Sequence, residues 1–146
     1  MLNLDMLYIF DTDHISLLQH NDYQVIANLR RVPVTARATT VISLAEQMQG
    51  RLAVINKTKT ESDAGRAFQR LYETNEFYRA LLVLPYDDAA IQLFEQLRRQ
   101  KVRIGTQDLR IAAIALRHKG TVVTRNLRDF RQVPALSVVD WSILQS

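Results

Sequence analysis

Acidic side chains recur in this chain where apolar runs give way to loops or helix starts. Asp11 follows Leu7-Tyr8-Ile9-Phe10, and Glu46 closes Ser43-Leu44-Ala45-Glu46. Asp108 closes Ile104-Gly105-Thr106-Gln107-Asp108, and Asn126 and Asp129 follow Thr121-Val122-Val123-Thr124. Three carboxylates gathered on one rim repel one another and hold their protons more tightly unless a cation neutralises them. Hard divalent ions such as Mg²⁺ and Mn²⁺ prefer oxygen ligands and retain several waters, so a few carboxylates suffice. The chemistry these residue types point to is that of a divalent-metal site.

Such a rim needs elements to build it. Short apolar runs predict strands at residues 7–10, within 34–41 after Pro33, at 81–84 before Pro85, at 121–124, and a short fifth at 136–139 before Trp141. Between them, helical periodicity predicts helices at 14–19, 23–30, from Ser43 onward with the stripe Leu44, Met48, Leu52 and Ile55, at 62–80, at 88–100 with Ile91, Phe94 and Leu97 on one face, and at 106–119. Strands separated by helices imply parallel pairing with right-handed crossovers, hence an α/β fold. Open parallel sheets bind ligands beyond the carboxyl ends of their strands, near the point where strand order reverses. Asp11 and Asn126 follow strands, and Glu46 and Asp108 fall in the first turns of expected helices.

Composition sets limits. The 146 residues, 47% of them hydrophobic, are expected to form one domain, 1–146, with a real core. The chain has no cysteine, which excludes thiolate metal sites and disulfides and fits a reducing cytoplasm. Asp5, Asp11 and Asp13 interrupt the opening apolar run, which matches neither a signal peptide nor a membrane span. A net charge of +4 comes mostly from arginine, in one group from Arg98 to Arg110 and a second of Arg125, Arg128 and Arg131. Arginine suits phosphate because its planar fork donates two hydrogen bonds at once. The same charge also serves a solvated helix face.

Each acid has a structural reading as well. Ser43-Leu44-Ala45-Glu46 matches a capping box, in which Glu46 reaches back to the Ser43 amide. Asp108 sits two residues after a possible N-cap at Thr106, where the helix dipole favours an acid. Asp11-Thr12-Asp13 can form an Asx turn or cap a helix, and Asp129 can pair with Arg125 or Arg128. His14, His20 and His118 lack metal-ligand spacing and read as helix-surface residues. No serine has a G-x-S-x-G setting.

The joint pattern is more specific than its parts. Asp11-Thr12-Asp13 after a strand, Ile42-Ser43-Leu44-Ala45-Glu46, Ile104-Gly105-Thr106-Gln107-Asp108-Leu109-Arg110-Ile111-Ala112-Ala113, Val123-Thr124-Arg125-Asn126-Leu127-Arg128-Asp129-Phe130, and the closing stretch from Val133-Pro134 to Trp141 occur in that order. Together they resemble a PIN-domain protein of the VapC type, best over residues 104–141 and least over 56–82. The resemblance implies a single α/β/α sandwich with a central parallel sheet of four to five strands. It also implies a Mg²⁺- or Mn²⁺-dependent endoribonuclease, the toxin of a toxin–antitoxin pair.

On that resemblance Asp11, Glu46 and Asp108 are the catalytic acids, with the metal held mainly by Asp11 and Asp108. Thr12, Asp13, Thr124, Asn126 and Asp129 take supporting places. The Thr-x-Asp of many members is here Thr124-Arg125-Asn126, so charge for a second ion, about 4 Å from the first, must come from Asp129. Arg110, Arg125 and Arg128 are expected to follow RNA. The implied partners are an RNA substrate, a cognate antitoxin and a second copy of the chain. Helices carrying Leu17, Leu18, Ile26 and Leu29, and Phe68, Leu71, Phe77 and Leu81, either bury these residues internally or present part of them to partners. Two other readings carry sequence support. Asp11-Thr12-Asp13 matches the opening D-x-D of haloacid-dehalogenase-like phosphatases, though the later lysine and acidic pair are missing. The Asn126 departure admits a PIN-like domain that binds RNA or protein without cleaving.

Overall fold

The computed structural model describes residues 6–144, so Asp5 lies outside the described residues. Five short runs rich in β-branched and aromatic residues pair as one parallel sheet: β1 (Tyr8–Phe10), β2 (Arg37–Thr40), β3 (Leu82–Leu84), β4 (Thr121–Val123) and β5 (Ser137–Val139). Their order is β3-β2-β1-β4-β5. The chain therefore builds outward from β1 in one direction, returns, and builds outward in the other. β1 and β4 lie side by side in register, Ile9 opposite Val122 and Phe10 opposite Val123, and the strand order reverses between them.

Helical crossovers cover both faces. α1 (Thr12–Gln19), α2 (Tyr23–Leu29) and a 3-10 turn at Val34–Ala36 lead to β2; α3 (Val41–Asn56) and α4 (Glu61–Arg79) lead to β3; α5 (Asp88–Arg99) and α6 (Thr106–Arg117) lead to β4. A one-turn helix, α7 (Leu127–Phe130), precedes β5 and has no counterpart among the sequence-based expectations. Side chains alternate across the strands. Tyr8, Phe10 and Val123 pack with Ile15, Leu18, Val25, Tyr78 and Trp141, whereas Ile9 and Val122 pack with Phe94, Leu97, Ile111, Ile114 and Phe130. Burying each such side chain contributes about 1.5–3 kcal/mol, so these two layers hold the sheet and fix its rim.

Gly120 is a place where any side chain would force its neighbours to move. A Cβ there would lie 2.7 Å from Ile9 Cδ1 and 3.1 Å from the Leu7 carbonyl. The left-handed turn that ends α6 falls instead on Lys119, at φ 53°.

One helix start and one helix cap differ from the sequence reading. α3 begins at Val41, not Ser43, because Thr40 caps it by accepting the Ser43 N–H at 3.2 Å. Glu46 thus lies in the second turn, and the capping-box reading does not hold. α6 is capped by Gly105 without a side-chain bond, which makes Thr106 its first helical residue. The expected α3 stripe also fails at Leu52, which is 49% exposed, while Ile42, Ser43 and Gln47 face inward. The second half of α3 packs against α4, where Arg51 Nε donates to Thr74 Oγ1 at 2.9 Å, and Leu52 is left to solvent. Phe68 on α4 is likewise exposed, at 56%. Among the described residues, no helix is long and apolar enough to cross a membrane.

Candidate active site

The carboxyl ends of β1 and β4 define the rim at which strand order reverses. Asp11 directly follows β1; its N–H donates to the Val123 carbonyl at 3.1 Å, tying it to β4. Its Oδ1 accepts the His14 N–H at 2.9 Å, capping α1. The carboxylate is almost wholly buried. The cap and the site place are compatible because the bond occupies one of two carboxylate oxygens.

Glu46 reaches the same rim from α3. It accepts a 2.8 Å hydrogen bond from Thr12 Oγ1, and that hydroxyl lies 3.0 Å from Ser43 Oγ. Thr12, first residue of α1, therefore steadies a carboxylate on a different element. Asp108 arrives from the first turn of α6. Its carboxyl is pushed up from the ordinary 3.8 to about 6, chiefly by burial, then by the Asp11 and Glu46 charges, with Asp129 adding to these and the Asn126 amide opposing them. The Asn126 Nδ2 stands 3.5 Å from Asp108 Oδ2 and donates to Asp129 Oδ2 at 2.9 Å. Behind it, buried Thr124 accepts the Asn126 N–H at 2.8 Å, which fixes the turn out of β4. Asp129 faces Asn126 and is not ion-paired with Arg125 or Arg128 among the described residues.

The structure thus brings Asp11, Glu46, Asp108, Asn126 and Asp129 within electrostatic reach of one another, and does not bring Asp13 in. Asp13 turns outward and takes a two-pronged bond from Arg125, at 2.6 and 2.9 Å, which holds the guanidinium proton more firmly. That geometry disfavours a phosphatase pair of Asp11 and Asp13, which requires both carboxyls to face one substrate. Arg128 is exposed. Arg110 is already engaged, donating to Gln107 Oε1 at 2.6 Å with its guanidinium 5.6 Å from the centre of the Phe94 ring.

The donors fit a hard cation. All are oxygens, and the charges of Asp11, Glu46 and Asp129 add to burial in raising Asp108. Among the described residues, no three acids already close into a cage. An ion here would take few protein ligands and keep several of its own waters, as Mg²⁺ does. Asp11, which follows β1, and Asp108, on α6, are the carboxylates that would hold such an ion.

One residue at this site is misread from the sequence. His14 is not a surface residue but completely buried, with Nε2 accepting the Trp141 N–H at 3.3 Å. The signal was present, since residues 14, 15 and 18 share one helix face with apolar Ile15 and Leu18. The other two histidines differ: His20 is exposed and His118 is half-buried.

Comparison with known proteins adds four findings. The PIN domain family profile matches residues 8–136. A ribonuclease VapC from Rickettsia bellii is 26% identical over 87 residues, 58% of this chain and 64% of that protein, so the chain spans just under two thirds of that relative's length. DNA-bound VapBC from Salmonella typhimurium superimposes with a TM-score of 0.73 at 26% identity, covering 93% of this chain and 98% of that one. VapBC-5 from Mycobacterium tuberculosis, a member of the VapBC family of toxin–antitoxin systems, matches in fold with a TM-score of 0.63 at 20% identity, covering 92% and 98%.

Proposed function

The chain belongs to the PIN-domain family, and on that premise we propose that it is a Mg²⁺- or Mn²⁺-dependent endoribonuclease, the toxin of a toxin–antitoxin pair. The observation that carries the reading is the convergence of Asp11, Glu46 and Asp108 on the rim between β1 and β4, with Asp108 raised to about 6 by burial and, after it, by its acidic neighbours. The relative named as a ribonuclease supplies the substrate class.

In this reading Asp11 and Asp108 hold the cation. When bound, it supplies charge neutralisation at the scissile phosphate and lowers the pKa of water. Glu46, steadied by Thr12, accepts a proton from the attacking water. Thr124 and Asn126 set the turn that presents Asp129 to Asp108. Asn126 adds no charge, so a second cation would depend on Asp129. Arg128, and Arg125 once released by Asp13, supply phosphate contacts whose affinity falls with salt, and Arg110 extends them along α6.

The partner reading rests on apolar surface. A groove of about 340 Å³ between α1, α2 and α4 is lined by Leu18, Ile26, Leu29, Phe77 and Leu81 with Arg30 and Arg37. This supports docking of an apolar antitoxin segment. Leu52 and Val54 on α3, with Phe68 and Tyr72 on α4, are exposed apolar side chains that a second copy of the chain would cover. No observation favours a binder without catalysis, since all three acids are present.

The test is cleavage of a mixed RNA pool with Mg²⁺ or with EDTA, by the wild type and Asp108→Asn. Cleavage that needs both Mg²⁺ and Asp108 is expected. RNA bound but uncut at every Mg²⁺ and Mn²⁺ concentration would overturn the enzyme reading.

A further inference from the structure

His14 belongs to no acid motif, yet it is a buried polar side chain set between two carboxylates. Its Nδ1 lies 3.7 Å from Asp11 Oδ1, and its Nε2 lies 3.6 Å from Asp140 Oδ1. Nε2 accepts the Trp141 N–H at 3.3 Å and so carries the lone pair, which leaves the hydrogen on Nδ1. That Nδ1 is buried and makes no hydrogen bond. A buried N–H left without a partner costs about 1–3 kcal/mol, so a native fold that keeps one calls for a reason.

The acceptor nearest to Nδ1 is the oxygen of Asp11 that already caps α1 through the His14 amide. We propose that His14 is a positioning residue that braces Asp11 from behind. The backbone N–H and the imidazole N–H of one residue address Oδ1 and leave Oδ2 turned to the rim for the cation. The brace is anchored by a residue distant in sequence, because Trp141 is clamped by Asn28 Nδ2 on its carbonyl at 3.1 Å and by packing against Tyr8 and Phe10. The 3.7 Å gap is longer than a hydrogen bond and needs only a small side-chain shift to close.

This inference rests on the metal-site reading above. Its test compares two amides, since asparagine places its terminal group near the Nδ1 position and glutamine near Nε2. Mn²⁺ affinity is measured by calorimetry on the folded wild type, His14→Asn and His14→Gln, beside their urea midpoints. A brace is expected to give at least about tenfold weaker Mn²⁺ binding in His14→Gln, while His14→Asn stays within about threefold of wild type. Equal Mn²⁺ affinity in all three, or equal weakening in both variants, overturns the brace and leaves the metal reading standing. Failure of the wild type to bind Mn²⁺ removes the metal reading and the brace with it. Should either variant fail to fold, ¹⁵N-edited NMR of the wild type decides. Mg²⁺ is expected to shift the His14 Nδ1–H resonance, and an unmoved resonance overturns the proposal.

Discussion

Asp108→Asn should make the metal-free protein more stable while abolishing its chemistry. In the wild type the Asp108 carboxyl is pushed from 3.8 to about 6 by burial and by Asp11, Glu46 and Asp129. At about 1.36 kcal/mol per pH unit this corresponds to about 3 kcal/mol of destabilisation of the ionised folded state. Asp108 is only half-buried, and solvent screening reduces that to about 1.5 kcal/mol. Asparagine also gives up the favourable effect of an acid in the first turn of α6, about 0.5 kcal/mol, so the net gain is about 1 kcal/mol. The sign with pH follows from the raised folded-state value. The native state binds this proton more tightly than the unfolded chain, so the wild-type penalty is absent below about pH 4, grows as the pH rises, and is complete above about pH 7. Urea denaturation in EDTA at pH 8 should show Asp108→Asn about 1 kcal/mol above wild type, or about 3 °C in thermal midpoint, with this advantage lost towards pH 4. In Mg²⁺ at a hundred times its dissociation constant the order reverses, because the wild type gains about 2.7 kcal/mol from binding and the variant does not. An Asp108→Asn protein less stable than wild type in EDTA at pH 8, or a difference that ignores pH, would refute the crowded-carboxylate reasoning.

Thr12→Val removes the hydroxyl that steadies Glu46, and is expected to slow RNA cleavage about tenfold with little change in RNA affinity, measured as initial rates beside filter binding. Arg125→Ala breaks the pair with Asp13, but both partners are about half exposed, so stability should change by less than about 1 kcal/mol in urea. The same variant should reduce the slope of log affinity for RNA against log salt by about one. Gly120→Ala drives a methyl to 2.7 Å from Ile9 in a closed core, and should lower stability by about 1–3 kcal/mol in the same denaturation. Mn²⁺ affinity of the wild type should weaken as pH falls through about 6, where Asp108 takes up its proton, a change read by calorimetry.

The sheet was legible because its signals are local. Pro33, Pro85 and Gly120 bracket apolar runs, and all five expected strands form within a few residues of their expected limits. Asp11 and Asp108 could be placed at strand and helix boundaries for the same reason. Glu46 follows from its place in the first turn of the helix after the second strand and from the resemblance, while its local context pointed to a capping box. The choice between them depended on whether Thr40 or Ser43 caps α3, and on Thr12, a residue 34 positions away. α7 is a single turn, too short for periodicity to show, so the contact between Asn126 and Asp129 had no sequence signature beyond their spacing. His14 sits on the same α1 face as Ile15 and Leu18, so its burial had a local signal, but its partner Trp141, 127 positions away, did not. Exposure of Leu52 and Phe68 depends on how α3 and α4 pack against each other, a tertiary arrangement that hydrophobic pattern does not encode.

The most direct test of the shared acidic rim is crystallographic: crystals of the wild type soaked in Mn²⁺ and measured for anomalous scattering. A peak about 2 Å from carboxylate oxygens of both Asp11 and Asp108, with Glu46 on the same face, is the expected result. Density absent from that rim at saturating Mn²⁺, or located against other side chains, would contradict the account.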